Sequence, residues 1–332
     1  MDTNMKVKAF TARPDEMDLF AYYGEKFGFS MEYCPEDLTM DNMESARGFT
    51  GLSCVGTCDL SRPALERLAG MGVRYLSLRT IGYDNVDVDA ARELGLRVSH
   101  ASYSPYSVAN YTVMLMLMCM RKALYIMMRS HTADYSLHAA QGREMQNITV
   151  GIIGTGKIGR AVIQNLSGFG CKILAYDPYP PKGGLPGVEF VPLDKLYARA
   201  DIIALHTLLN DETYHMISDE AIAKMKPGVI LINTARGPLV DTKALIAGIE
   251  SGKIASAGID CFEDEDGVIR TDHNYTDLIQ NHDLIILKSF QNTIVTPHVA
   301  FYTDQAVQDM VFSSLESLHQ FAAGQDAPLA VV

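Results

Sequence analysis

Val150-Gly151-Ile152-Ile153-Gly154-Thr155-Gly156-Lys157-Ile158-Gly159 is the stretch that decides the fold of this chain. Its first four residues read as an apolar strand, and the Gly-x-Gly-x-x-Gly that follows opens a helix. In this pattern Gly154 allows a tight turn, Gly156 lets the backbone approach a phosphate, and Gly159 lets the helix pack on the strand. The helix N-terminus then offers unpaired N–H groups and a positive dipole end to an anion.

A second predicted strand, Lys172-Ile173-Leu174-Ala175-Tyr176, ends at Asp177. A carboxylate at that place would accept hydrogen bonds from the adenine ribose hydroxyls and repel a 2′-phosphate. Strand, glycine loop, helix, strand and acid together indicate an NAD site rather than an isolated glycine-rich turn. The cofactor residues predicted from this unit are Gly154, Thr155, Gly156, Lys157, Ile158, Gly159 and Asp177.

Apolar strands and helices alternate from residue 147 onward. Such alternation predicts a parallel sheet, and a glycine loop after its first strand predicts the doubly wound order 3-2-1-4-5-6. One more helix is predicted over Asp304–Ala323. The strands predicted here are Thr149–Ile153, Lys172–Tyr176, Ile202–Leu205, Val229–Asn233, Ser256–Ile259 and Ile294–Thr296.

The first hundred residues also alternate short strands with helices. A turn-rich segment at 102–107 then leads into one long apolar helix, predicted to end near Arg129. The strands predicted in this part are Lys6–Ala12, Gly51–Gly56, Tyr75–Leu78 and Arg97–Ser99. The predicted helices are Pro14–Phe27, Ser61–Met71 and Val88–Leu94.

The predicted fold class is therefore α/β, with two Rossmann-like, doubly wound parallel-sheet domains. Residues 1–102 and 300–332 would form the first domain, which is discontinuous because the last helix would return to it. Residues 103–299 would form the NAD-binding domain, including the long helix.

Composition narrows the classes of partner. The formal net charge of −12 disfavours nucleic acid and anionic membranes, which need a basic face. The apolar run Val113–Met120 is far shorter than the ~20 residues that a membrane span needs. No basic region followed by an apolar one is visible at the N-terminus, so a cytoplasmic location is expected. The six cysteines contain no Cys-x-x-Cys pair, so we expect reduced thiols and no metal site.

Three segments that follow predicted strands carry side chains suited to chemistry. Arg236 follows a buried strand, where a guanidinium can bind a carboxylate in a bidentate way, and a structural ion pair is the alternative. The acidic run Asp260–Asp266 offers several carboxylates for chemistry, and a solvated loop is the alternative. His298 is a natural general acid–base near neutral pH, although a lone His is more often structural. Ligands bind at the carboxyl ends of strands in open α/β sheets, which favours the chemical interpretation.

The order of these motifs resembles that of the D-2-hydroxyacid dehydrogenase family, over essentially the whole chain. The acidic insert ending at Asp266-Gly267-Val268-Ile269 and the run Phe301-Tyr302-Thr303 are similar to its D-lactate dehydrogenase branch. Ser104–Ala109 and Phe169–Lys172 are similar to the VanH-type enzymes within that branch. The family motifs resembled are Gly154–Gly159, Asn233–Asp241, Asp260–Glu265, Thr296–Thr303, Leu78–Asp87 and Tyr103–Pro105.

The resemblance implies a catalytic set of Arg236, Glu265 and His298, with Glu265 preferred to Glu263 as the second acid of Glu-x-Glu. Arg236 would bind the substrate carboxylate, His298 would donate a proton to the carbonyl oxygen, and Glu265 would hold the charged imidazole. The implied substrate-binding residues are Ile81, Gly82, Tyr103, Val55 and Phe301. The further implied cofactor residues are His206, Thr207, Thr234, Ala235 and Asp260, although His206 also reads as a strand-end residue with only a backbone contact.

The activity implied by the resemblance is reversible, NADH-dependent reduction of a 2-oxo acid to the D-2-hydroxy acid, with pyruvate as the first expected substrate. Val55 stands where lactobacillal D-lactate dehydrogenases often have Tyr. A broader enzyme acting on phenylpyruvate or 2-oxoisocaproate is therefore the alternative, unless Val55 is only a strand residue.

Two other readings stay open beside this one. An NAD-dependent binding module of the corepressor type is disfavoured because no disordered tail or basic run is visible. A phosphoglycerate dehydrogenase is disfavoured because no regulatory domain is visible. The helix that follows Pro105 resembles the family's dimer-forming arm and implies a homodimer.

Overall fold

The structure, a computed structural model, describes residues 5–265, 267–269, 272–273 and 279–332. Asp266, the last acid of the predicted acidic run, lies outside these residues. The chain divides into two compact units. Unit 1 consists of the residues up to Ser104 together with Tyr302–Val332, and unit 2 consists of Pro105–Phe301.

Within the described residues, both units alternate strands and helices. The strands are β1 (Met5–Ala9), β2 (Phe29–Tyr33), β3 (Gly51–Cys54), β4 (Tyr75–Leu78), β5 (Arg97–Ser99), β6 (Thr149–Ile153), β7 (Lys172–Tyr176), β8 (Val188–Phe190), β9 (Ile202–Leu205), β10 (Val229–Asn233), β11 (Ile254–Ile259) and β12 (Thr293–Val295). The α-helices are α1 (Met17–Phe27), α2 (Arg62–Gly70), α3 (Val88–Glu93), α4 (Tyr106–Met120), α5 (Ala123–His131), α6 (Lys157–Leu166), α7 (Leu193–Arg199), α8 (Asp219–Lys224), α9 (Thr242–Glu250), α10 (His282–Ser289) and α11 (Asp304–Ala322).

Unit 1 is built on a five-stranded parallel sheet in the order β2-β1-β3-β4-β5. One apolar cluster joins the sheet to α2 and α3, and a second joins it to α1 and α11. The sequence did not predict β2, an edge strand in which only Phe29 is buried. An edge strand with so little buried surface lacks the apolar run that marks the inner strands.

A buried ion pair ties the inner strands of unit 1 together. Arg79, the residue after β4, is 0% exposed, and its Nε donates to the equally buried carboxylate of Glu16 at 3.0 Å. The other guanidinium nitrogens donate to the carbonyl and hydroxyl of Ser53 and to the carbonyls of Phe10 and Thr11, at 2.7–3.0 Å. One side chain thus fixes the carboxyl ends of β1, β3 and β4, where the segment with Ile81 and Gly82 begins.

Unit 2 is built on a seven-stranded parallel sheet in the order β12-β11-β10-β9-β6-β7-β8. This is the doubly wound arrangement, and the predicted fold class is confirmed. In the predicted order 3-2-1-4-5-6, the third strand along the chain was Ile202–Leu205, which would have paired with β7. That place is taken by β8, which the sequence did not predict, and Ile202–Leu205 (β9) instead pairs with β6 on the side away from β7. None of the three residues of β8 is buried, and it follows a stretch rich in Pro and Gly. The chain reverses its direction across the sheet between β6 and β9, where such sheets bind ligands.

The single long helix expected between residue 106 and Arg129 is wrong. The helix α4 ends at Met120, and α5 begins at Ala123 after a bend of 64°. Between them Lys122 has a φ of +53°, a left-handed conformation that a continuous α-helix cannot contain. Most of α4 is buried, whereas α5 buries none of its residues.

No single helix among the described residues has the length and apolar character to span a membrane. Only α4 and α5 taken together meet that criterion, across their bend.

Candidate active site

The glycine loop lies between β6 and α6. Gly154 has a φ of +93°, and a Cβ on it would come within 2.5 Å of the carbonyl oxygen of His206. A Cβ on Gly159 would come within 2.0 Å of the carbonyl oxygen of Gly154. Gly156 is different, because a Cβ there would meet nothing within 4 Å. The first and third glycines are thus required by packing, while Gly156 leaves open the space before the helix N-terminus that a phosphate needs.

Asp177 follows β7 and faces this loop. Its Oδ2 accepts hydrogen bonds from the backbone N–H and the hydroxyl of Thr155, both at 2.7 Å, and its Oδ1 accepts from the N–H of Tyr179 at 2.8 Å. Burial raises the pKa of Asp177, but these hydrogen bonds outweigh it and place the pKa below its ordinary value. The group is therefore an anion at neutral pH, as a partner for ribose hydroxyls must be. The loop and this acid fit an adenine dinucleotide.

The other predicted cofactor residues follow β9 and β10 at the same edge of the sheet. Both ring nitrogens of His206 are buried and have no hydrogen-bond partner among the described residues. Burial lowers the pKa of His206 to about 4, so the ring is neutral. Thr207 follows it directly. After β10, the Thr234 hydroxyl bonds to that of Thr112 at 2.8 Å, and the N–H of Ala235 donates to Asn233.

The backbone carbonyl of Arg236 fixes the place of this residue. The buried amide of Asn233, the last residue of β10, donates to the carbonyl of Arg236 at 2.8 Å and to that of Cys261 at 3.1 Å. One amide therefore connects the segment that carries Arg236 with the acidic segment after β11. Both Arg236 and Glu265 lie near enough to act electrostatically on the Cys261 thiol, whose pKa burial raises well above its ordinary value.

His298 and Glu265 form a direct pair. The distance from His298 Nδ1 to Glu265 Oε1 is 2.7 Å, and the two side chains are 22% and 21% exposed. His298 has a φ of +53°, which is uncommon for a non-glycine residue, and its N–H donates to the carbonyl of Asp260 at 2.9 Å. Backbone held in such a region is often found at functional sites. The pairing leaves Nε2, on the far side of the ring, as the nitrogen that can meet a substrate.

Asp260 holds the segment that carries His298. Its side chain is 0% exposed. The carboxylate accepts hydrogen bonds from the Thr296 hydroxyl at 2.5 Å and from the N–H groups of Val299 and Ala300 at 3.1 and 2.9 Å. The expected contact of Asp260 with a cofactor carboxamide stays a prediction.

The predicted substrate residues of unit 1 differ in their surroundings. Ile81, Gly82 and Tyr103 are partly exposed. Val55 directly follows β3, is 2% exposed and belongs to the apolar cluster under α2 and α3. Its side chain is thus a packed one within unit 1. In unit 2, the ring of Phe301 lies edge-on to that of His298, with centroids 6.3 Å apart.

Comparison with known proteins identifies the family. The model of the D-isomer specific 2-hydroxyacid dehydrogenase NAD binding domain matches residues 113–300. The chain belongs to this dehydrogenase family. Because the matched part is the NAD binding domain, NAD is its cofactor.

Individual relatives of this dehydrogenase cover nearly its whole length. An aromatic 2-oxoacid reductase of Clostridium sporogenes is 42% identical over 96% of each chain. The D-lactate dehydrogenase of Escherichia coli K12 is 36% identical over 99% of this chain and 100% of the relative. The structure of a D-2-hydroxyisocaproate dehydrogenase superposes with a TM-score of 0.86, at 34% identity over 98% of this chain and 99% of the other.

Sequence reasoning missed a second His–Glu pair in this dehydrogenase. His215 Nε2 lies 2.7 Å from Oε1 of Glu263, the acid that was set aside in favour of Glu265. His215 also has a positive φ, +50°. The residues are 48 positions apart in sequence, and His215 lies in no pattern that singles it out. An acid repeated at i and i+2 is the only sequence signal, and it does not say which of the two acids faces the substrate.

Proposed function

We propose that the chain reduces a 2-oxo acid to the corresponding D-2-hydroxy acid, reversibly, with Arg236, Glu265 and His298 as its catalytic residues. The observation that carries this proposal is the 2.7 Å contact between His298 and Glu265. Glu265 and His298 follow the carboxyl ends of the adjacent strands β11 and β12, in the same unit as the glycine loop. An imidazole oriented by a carboxylate is a general acid–base arrangement.

The reaction follows from the charges of these groups. NADH supplies the hydride when it is bound. Protonated at both nitrogens, His298 donates a hydrogen bond from Nδ1 to the carboxylate of Glu265 and gives the proton on Nε2 to the carbonyl oxygen of the substrate. The carboxylate of Glu265 stabilises the imidazolium and fixes the orientation of the ring. Arg236 binds the substrate carboxylate and polarises the adjacent carbonyl, as a planar guanidinium is suited to do.

The remaining predicted residues take supporting roles in this proposal. The substrate-binding residues proposed from the family resemblance are Ile81 and Gly82, through their backbone N–H groups, together with Tyr103, Val55 and Phe301. Open space at Gly156 and the anionic Asp177 suit the pyrophosphate and the adenine ribose. The predicted cofactor residues nearer the nicotinamide are His206, Thr207, Thr234, Ala235 and Asp260.

Within this activity, we propose an aromatic 2-oxo acid as the preferred substrate, in place of the pyruvate first expected. The relative named as an aromatic 2-oxoacid reductase is 42% identical, against 36% for the E. coli D-lactate dehydrogenase. Val55 also has no aromatic ring where the lactobacillal D-lactate dehydrogenases often have one. The fit between a pocket and a substrate side chain is worth about tenfold or more in kcat/KM.

The preference is tested by measuring kcat/KM from NADH oxidation with pyruvate, 2-oxobutyrate, 2-oxoisocaproate and phenylpyruvate. We expect phenylpyruvate to exceed pyruvate by about tenfold or more. Equal or higher kcat/KM for pyruvate would reject the aromatic preference and restore D-lactate formation as the activity. A failure to oxidise NADH with any of the four acids would reject the proposed function itself.

We also propose that the enzyme is a homodimer. The helix α5 exposes Ile126, Met127 and Met128 by 41, 56 and 49%, and an apolar surface of this kind indicates a contact with another protein. Light scattering on the purified protein should give twice the chain mass of 36.5 kDa. A mass equal to that of one chain would contradict the dimer. The cytoplasmic location expected from the sequence stays a prediction.

A further inference from the structure

We propose that Glu263 and His215 act as a positioning pair that fixes Arg236 and Glu265 relative to each other. This inference rests on the function proposed above, and it gives Glu263 a role distinct from that of Glu265. All four residues belong to unit 2. Neither member of the pair touches the reacting atoms in this proposal.

The carboxylate of Glu263 gathers three hydrogen-bond donors. Its Oε1 meets His215 Nε2 at 2.7 Å. Its Oε2 accepts from the backbone N–H of Thr242 at 2.8 Å and from the Thr242 hydroxyl at 2.6 Å. Thr242 is the first residue of α9, so the anion also faces the positive end of that helix. With 22% of the Glu263 side chain exposed, solvent screens these interactions only in part.

The pair holds the loop that carries Arg236. This loop runs from the end of β10 to the start of α9, and the amide of Asn233 holds its first part through the carbonyl of Arg236, at 2.8 Å. The N–H of His215 donates to the carbonyl of Pro238 at 2.8 Å in the middle of the loop. Glu263 holds the end of the loop through Thr242. The backbone of Ile217 also holds this loop, through hydrogen bonds with Leu239 and Asp241 at 3.0 Å, but the attachment at Thr242 is made by the side chain of Glu263 itself.

The same loop lies directly on the backbone that carries Glu265. A Cβ on Gly237 would come within 2.1 Å of the carbonyl oxygen of Phe262, so no side chain fits between the two segments. The amide of Asn281 donates to the carbonyl of Glu263 at 2.9 Å and holds this backbone from the other side. Because Glu263 precedes Glu265 by two residues, its anchoring fixes both catalytic segments. A displacement of ~1 Å at a reacting group costs about 10²-fold in rate.

Three substitutions at one position separate geometry from charge. Glu263→Ala removes all three hydrogen bonds. Glu263→Asp keeps the charge but shortens the reach, so that one carboxylate no longer meets both His215 and Thr242. Glu263→Gln keeps the length, accepts from Thr242, and donates to His215 Nε2 when the ring carries its proton on Nδ1. Val229→Ala, a truncation of a fully buried residue at the opposite end of β10, is the matched control for general destabilisation.

We expect Glu263→Ala to lower kcat/KM for the best 2-oxo acid by about 10²-fold and Glu263→Asp by about tenfold. Glu263→Gln should recover to within about fivefold of the wild type, and the Kd of NADH should change by less than about twofold in every variant. Val229→Ala should lower Tm at least as much as Glu263→Ala and leave kcat/KM within about threefold. Binding of oxamate, an unreactive 2-oxo acid analogue, to the NADH complex should weaken in parallel with kcat/KM.

Wild-type kcat/KM in Glu263→Ala, or an equal loss in Val229→Ala, would overturn the inference. Recovery in Glu263→Asp without recovery in Glu263→Gln would also overturn it, because charge and not placement would then be the cause. A wild-type enzyme that neither turns over a 2-oxo acid nor binds oxamate would overturn the proposed function, and this inference with it. An active wild type beside an equally active Glu263→Ala overturns the inference alone.

Discussion

Replacing His298 with Gln should lower kcat for 2-oxo acid reduction by about 10²- to 10⁴-fold. Gln occupies a similar volume and can still bond to Glu265, but its amide has no proton to release near neutral pH. The hydride acceptor would then develop negative charge on its oxygen without an acid to neutralise it. The affinity for NADH should stay close to that of the wild type, since the glycine loop and Asp177 are untouched.

This prediction is checked by steady-state kinetics together with a direct titration of NADH. His282→Gln, an exposed histidine of the same unit at the start of α10, provides the matched control and should behave as the wild type. Turnover by the His298 variant within about tenfold of the wild type would mean that the proton comes from another group.

Arg79→Met should destabilise the protein by about 3–5 kcal/mol. The substitution removes the buried one of two guanidiniums on the carboxylate of Glu16, which is 0% exposed, and leaves only that of Arg13, 3.3 Å from Glu16 Oε1 and 24% exposed. It also removes the guanidinium donors for the carbonyls of Phe10 and Thr11 after β1 and of Ser53 in β3, so hydrogen bonds to buried carbonyls are lost at the ends of two strands. Removing one member of a buried ion pair is destabilising because the desolvation of the remaining charge is then offset only in part.

Urea unfolding of the variant gives this free energy directly. The double variant Arg79→Met with Glu16→Met should recover a large part of the loss, because it leaves no uncompensated buried charge. Arg92→Met, which breaks an exposed pair with Asp89, should change the free energy of unfolding by less than about 1 kcal/mol. An effect of Arg79→Met as small as that of Arg92→Met would contradict the proposed weight of the buried pair.

The inner strands of both sheets and the edge strands β5 and β12 could be predicted from the sequence, whereas the edge strands β2 and β8 could not. The strand β6 and its glycine loop carry a continuous apolar run and a turn signal, and their place next to β7 follows from them. The strands β2 and β8 bury one residue and none, respectively, so no apolar pattern marks them. The break at Lys122 was missed because the apolar run continues on both sides of it, while the left-handed backbone depends on one residue's φ.

The candidate site divides in a similar way. The contact between His298 and Glu265 was predictable because each stands in a motif after a strand and the family resemblance implies their pairing. The catalytic roles of these two residues and of Arg236 stay predictions. The pair of His215 and Glu263 depends on a tertiary contact across 48 positions, which no local pattern encodes. Asp260 was recognised as an important acid, yet its hydrogen bonds to the segment of His298 appear only when β11 and β12 are side by side.

The most direct test of the central claim is to identify the product formed from phenylpyruvate and NADH. Chiral chromatography of the reaction, with NADH consumption measured in parallel, should show one D-phenyllactate formed for each NADH oxidised. The same mixture with His298→Gln should contain almost none. Formation of the L-enantiomer, or NADH oxidation without any hydroxy acid, would contradict the proposed reduction at the His298–Glu265 pair.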